Sequence, residues 1–91
     1  MQRKHVFQAV KRYNGNNPAS AAWLLSMKND AITIELRPGC NCKYGVLGHA
    51  YEFRAELENA ALQPVSIERI RKLENSYLVR LAAVEREVLR H

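Results

Sequence analysis

The sequence predicts a mainly α-helical fold of three to four helices with a long C-terminal helix. A short β-hairpin within residues 31–57 would make it α+β instead. Three observations carry that expectation. Apolar residues recur at three- and four-residue spacing near both ends of the chain, a helix-start signal precedes a dense apolar run near the N-terminus, and only one segment alternates cleanly with a period of two.

In the first element, Val6, Phe7, Val10 and Tyr13 share one helical face over residues 3–13, and Asn14-Gly15 ends it. Asn17 then reads as an N-cap with Pro18 at the first helical position, opening a second helix through Ala21, Ala22, Trp23, Leu24 and Leu25. Residues 31–37 place Ile32, Ile34 and Leu36 opposite Thr33 and Glu35, which favours a strand; two helical turns capped by Asp30 are the alternative. Pro38 and Gly39 open a turn through Cys42. Residues 49–62 fit a helical stripe (Ala50, Phe53, Leu57, Ala60, Ala61) and also an alternation, and the alanine-rich end favours helix.

The last helix is read from Pro64 or Ser66 to about Leu89, with Ile67, Ile70, Leu73, Tyr77, Leu78, Leu81, Val84 and Val88 on one broad side. At the usual rise it would be over ~30 Å long, more than a domain of this size covers by itself. Its surplus stripe therefore predicts a homodimer or an obligate partner, with Ile70, Tyr77, Leu81, Val84 and Val88 at the interface. Arg80 and Glu87 interrupt any strict heptad, so a long leucine zipper is not expected.

With 91 residues, the chain is expected to form a single domain, 1–91, since so short a chain cannot divide its core. The basic start, Met1 to His5, is followed by apolar residues interrupted at Gln8, which is no signal-peptide core, and the run from Ala19 to Met27 is too short to span a bilayer. A cytoplasmic protein without membrane contact is the expectation. Cys40 and Cys42 stand one residue apart, poorly placed for a mutual disulfide, and read as free thiols. They and His49, with His5 or His91, are four soft ligands, but structural zinc sites favour Cys-x-x-Cys, so neither metal nor cofactor is expected. Three scattered histidines offer no nucleophile–base pairing, and the isolated glycines form no phosphate-binding loop. An enzyme is not expected.

The net charge of +5 is uneven: residues 1–12 carry +4, residues 13–63 carry −1 and residues 64–91 carry +2. Arg3, Lys4, Lys11 and Arg12 thus form a basic arm that would attract phosphates or an acidic protein surface, unless it is simply a solvated helix start.

Within residues 14–36, Gly15-Asn16, Ala21-Ala22, Leu24-Leu25, Ser26 and Met27 follow in order, with one extra residue around Ser20. This stretch resembles the helix-turn-helix of the factor-for-inversion-stimulation type. The resemblance covers about a quarter of the chain and implies a recognition helix entering the major groove. The basic residues such a helix would offer are Lys28 and Arg37, beside Asn29, Asp30, Thr33 and Glu35. In that family the motif ends the chain, whereas here more than half the chain follows it.

Two functions follow as expectations. One is a small, basic, dimeric nucleic-acid-binding regulator using Arg3, Lys4, Lys11, Arg12, Lys28 and Arg37. The other is a small protein-binding inhibitor or adaptor, of the kind phages and mobile elements use against host nucleic-acid-processing complexes, docking on an acidic protein surface.

Overall fold

The structure is a computed structural model and describes residues 1–39 and 45–84. Val6, Ala9 and Tyr13 form the buried stripe of the first helix, α1 (Arg3–Asn16). The Gln2 backbone N–H donates to His5 Nδ1 at 3.3 Å, the reach-back half of a capping box. The chain then enters an antiparallel hairpin of β1 (Ala21–Lys28) and β2 (Ala31–Arg37). Asn29 makes the tight turn at φ 58°, a left-handed conformation that asparagine tolerates better than most residues.

The second helix, α2 (Gly45–Ala61), buries His49, Ala50, Phe53 and Leu57 along one stripe. It ends where Leu62 takes φ 57° and its N–H donates to the Glu58 carbonyl at 2.8 Å. A second hairpin, β3 (Val65–Lys72) and β4 (Tyr77–Ala83), completes a four-stranded antiparallel sheet in the order β1-β2-β4-β3.

Alternation then divides the sheet into two faces. Ile32, Ile34, Leu36, Val79 and Leu81 point inward and are buried against the stripes of the helices. Helix α1 packs on α2 and β1, and α2 packs on β3 and β4, so both helices cover this one face.

The fold is therefore α+β and not mainly α, with two helices and a four-stranded sheet among the described residues. The helix expected after Asn17 is strand β1. In place of the long C-terminal helix the described residues form the β3–β4 hairpin, and among the described residues of 31–57 there is no hairpin, because β2 pairs with β1 and β4 while α2 is helical. One physical cause explains both misread strands. The register shifts between Leu24 and Ser26 in β1 and between Ile67 and Arg69 in β3. Each bulge adds one residue, so Leu24 and Met27, and likewise Ile67 and Ile70, stand three apart yet pack on the same core. That spacing imitates a helical face.

The interface expected on the long helix dissolves with it. Leu81 is fully buried, Ile70 packs against the core, Tyr77 is half-buried, Val84 is exposed, and Val88 lies outside the described residues. The surplus apolar stripe that called for a homodimer is absent from β3 and β4. Residues 14–36 hold the end of α1, a loop and the first hairpin, so Lys28 and Arg37 stand on strands and not on a recognition helix.

Candidate functional site

The second face of the sheet is covered by neither helix. Register places its side chains in rows across the four strands: Trp23, Glu35, Leu78 and Arg71 form one row, and Thr33, Arg80 and Arg69 lie in the next. Arg37 stands at the end of β2 beside Trp23, its guanidinium 5.7 Å from the ring centroid, within cation–π range. Lys28 lies at the opposite end, on the rim of a shallow depression shared with Thr33, Arg80 and Ala82.

Thr33, Arg69, Arg71, Leu78 and Arg80 line a pocket of about 180 Å³ in the middle of this face. Two carboxylates share the surface, and both are engaged. Glu68 accepts from Arg80 Nε at 2.9 Å, and Glu35 accepts a short hydrogen bond from the Ser76 hydroxyl. Among the described residues neither Arg69 nor Arg71 has an acid within ion-pair distance. Five cations (Lys28, Arg37, Arg69, Arg71, Arg80) against Glu35 and Glu68 give the face a net charge of +3.

The residues expected to act together from the sequence are separated. Arg3, Lys4 and Lys11 are exposed on α1, in the helical layer, while Lys28 and Arg37 belong to the sheet. Arg12 is tied to Glu56 at 3.0 Å, which also accepts from the Asn16 side chain at 3.2 Å. The helix-layer cations are thus partly neutralised, and the unpaired arginines Arg69 and Arg71 lie across the sheet. The sequence reading did not single out Arg69, Arg71, Arg80 or Trp23. The Arg69-x-Arg71 spacing was the signal available, since two arginines two apart share a strand face.

Within the core, the Tyr13 hydroxyl and His49 Nδ1 are hydrogen-bonded at 2.7 Å, the phenol donating when the ring carries its proton on Nε2. Burial pushes the Tyr13 phenol up to about 12, a hydrogen bond from Ser20 opposes the rise, and the nearby Glu52 charge adds to it. Tyr13 is fully buried, so this pair serves packing and polar satisfaction. Among the described residues no three His, Cys, Asp or Glu side chains converge on a metal position, and no helix is long and apolar enough to cross a membrane. Cys40, Cys42 and His91 lie outside the described residues.

A second surface flanks the free edge of β3. Leu47 and Tyr51 on α2, each 48% exposed, border a groove with Ile67 and Ile70, and Arg54 lies over the Tyr51 ring at 5.1 Å. Among the described residues the buried Arg54 Nε has no hydrogen-bond partner.

Compared with protein-family models, with curated proteins and with solved structures, the chain matches none.

Proposed function

We propose that this chain is a small nucleic-acid-binding regulatory protein whose contact surface is the uncovered sheet face. The observation that carries the reading is the central pocket of Thr33, Arg69, Arg71 and Arg80, where two arginines have no acid partner among the described residues and both neighbouring carboxylates are occupied. Guanidinium groups bind phosphate oxygens through paired, charge-assisted hydrogen bonds, and Trp23 adds an aromatic surface beside them. The α1 cations Arg3, Lys4 and Lys11 contribute long-range attraction from the other layer.

Each phosphate contact releases condensed counterions, so affinity should fall steeply with salt. Equilibrium binding measured across a salt series is the test. The R69A/R71A/R80A variant should bind weakly, its log–log slope reduced by about 2–3 for three lost contacts. Wild-type affinity and slope in that variant would refute the assignment.

The α2–β3 groove supports a second reading, a protein-binding inhibitor or adaptor. An exposed strand edge flanked by Leu47, Tyr51, Ile67 and Ile70 suits an added peptide strand, and Arg54 Nε would find its acceptor there. Under that reading one protein is captured saturably and nuclease-resistantly, and Leu47→Asp abolishes the capture while R69A/R71A/R80A leaves it intact.

A further inference from the structure

We infer that the sheet face takes single-stranded rather than duplex nucleic acid, with a base stacked at Trp23 and the phosphates held by Arg69, Arg71 and Arg80. The inference rests on the nucleic-acid reading above and adds the form of the ligand.

Width decides first. Four strands at the usual spacing put the outer strand axes about 14 Å apart before side chains are counted. The major groove of B-DNA is only about 12 Å wide and admits a helix or a two-stranded ribbon. A sheet of four strands meets a duplex at its phosphate ridges alone, and Trp23 would then have no base within reach. The minor groove, about 6 Å wide, opens to a sheet only when apolar side chains wedge between base steps. Here the aromatic group has a guanidinium over its ring instead.

A single strand has neither constraint, because its bases are free to turn towards the protein. The chemistry of the face is also polarised. Arg69 and Arg71 are on β3, at one side, and Trp23 is on β1, at the other. Glu35 lies next to Trp23 in the same row, its carboxylate fixed by Ser76. Glu68 on β3 is neutralised by Arg80, whereas Glu35 is held by a neutral hydroxyl; an unneutralised carboxylate repels phosphate and accepts from base amino groups, so backbone belongs on the β3 side and bases on the β1 side. The Arg37 guanidinium now lies over the Trp23 ring, and a base stacking there takes its place while the guanidinium moves to the base edge.

The chain holds a single tryptophan, so its intrinsic fluorescence reports this position alone. Titrations would use a mixed-sequence oligonucleotide of about 12 nucleotides as DNA and as RNA, its blunt DNA duplex, and inorganic polyphosphate. The expected result is saturable quenching by a single strand, DNA or RNA, with the duplex and polyphosphate at least about ten-fold weaker. Trp23→Leu, measured by anisotropy of a labelled strand, should lose at least about five-fold in affinity, while Trp23→Phe stays within about three-fold. Circular dichroism and unfolding curves check that both variants are folded.

Equal or tighter duplex binding that R69A/R71A/R80A abolishes would overturn the single-strand inference and leave the nucleic-acid reading standing. So would unchanged strand affinity in a folded Trp23→Leu variant. Polyphosphate matching the oligonucleotide per phosphate would show a general anion surface and overturn the inference. Retention of no nucleic acid at low salt, with or without protein capture at the α2–β3 groove, would remove the nucleic-acid reading and the single-strand inference together.

Discussion

The two faces of the sheet are built from the same strands and differ in every second residue. On β2, Ile32, Ile34 and Leu36 are buried beneath the helices, while Thr33, Glu35 and Arg37 look away from them; on β4, Val79 and Leu81 alternate with Leu78 and Arg80. The inner face is closed and apolar, and the buried Tyr13 and His49 of the helices over it are hydrogen-bonded to each other. The outer face carries more cations than it can neutralise. Substitutions one residue apart should therefore divide cleanly, the inner ones affecting folding and the outer ones affecting binding.

The largest effect is expected at Leu81. Leu81→Ala leaves a cavity in the core and should lower unfolding free energy by about 2–5 kcal/mol in urea titration. Its neighbour Arg80→Ala removes one exposed ion pair with Glu68 and should change stability by less than about 1 kcal/mol while weakening binding. If both destabilise alike, the division into two faces fails.

A smaller effect is expected at Tyr13, where Tyr13→Phe removes the 2.7 Å hydrogen bond to His49 and should cost about 1–3 kcal/mol. The same residue sets an alkaline limit. Its phenol is pushed up to about 12 in the folded chain and titrates near 10 when unfolded. The folded state thus favours the neutral phenol, so this contribution is complete below about pH 10 and is lost as pH rises towards 12. Unfolding curves across that window should show the decline in wild type and a shallower one in Tyr13→Phe.

The polar clamp on the sheet edge comes next. Asn14 donates to the Ala22 carbonyl at 3.0 Å and accepts from the Ala22 N–H at 2.8 Å, occupying the start of the free edge of β1. Asn14→Ala should cost about 1–2 kcal/mol and raise the amide exchange rate of Ala22. The smallest effect is a gain. Leu62 is 86% exposed in a left-handed conformation that ends α2, and Leu62→Gly should stabilise by roughly 0.5–1 kcal/mol.

The same alternation explains how far the sequence was legible. Helix α1 was visible in its helical stripe and β2 in its unbroken alternation, whereas α2 fitted both periods over residues 49–62 and was read as helix on its alanine-rich end, with its first turn from Gly45 missed. The other three strands were not visible. β1 and β3 carry bulges that change two-residue spacing to three, and β4, following β3 in the chain, was absorbed into the same apparent stripe. The local signal for the first hairpin was present in Asn29-Asp30, a turn pair between two apolar runs, but Asp30 also served as a helix cap. Of the outer face, Lys28 and Arg37 were legible as basic residues near a motif. Arg69, Arg71 and Arg80 were read as parts of one helix, and Trp23 was assigned to a core helix, because a residue's face cannot be read before its element is known.

The central claim, that the uncovered sheet face is the binding surface, is tested most directly by NMR of the ¹⁵N-labelled chain titrated with single-stranded oligonucleotide. The account predicts shifts at the Trp23 indole Nε1–H, at the Nε–H of Arg37, Arg69, Arg71 and Arg80, and at the backbone amides of Thr33 and Leu78, while the Arg3 and Arg12 side chains and the amides of α2 stay in place. Shifts gathered on α1, or along Leu47, Tyr51 and the free edge of β3, with the outer arginines unmoved, would contradict it.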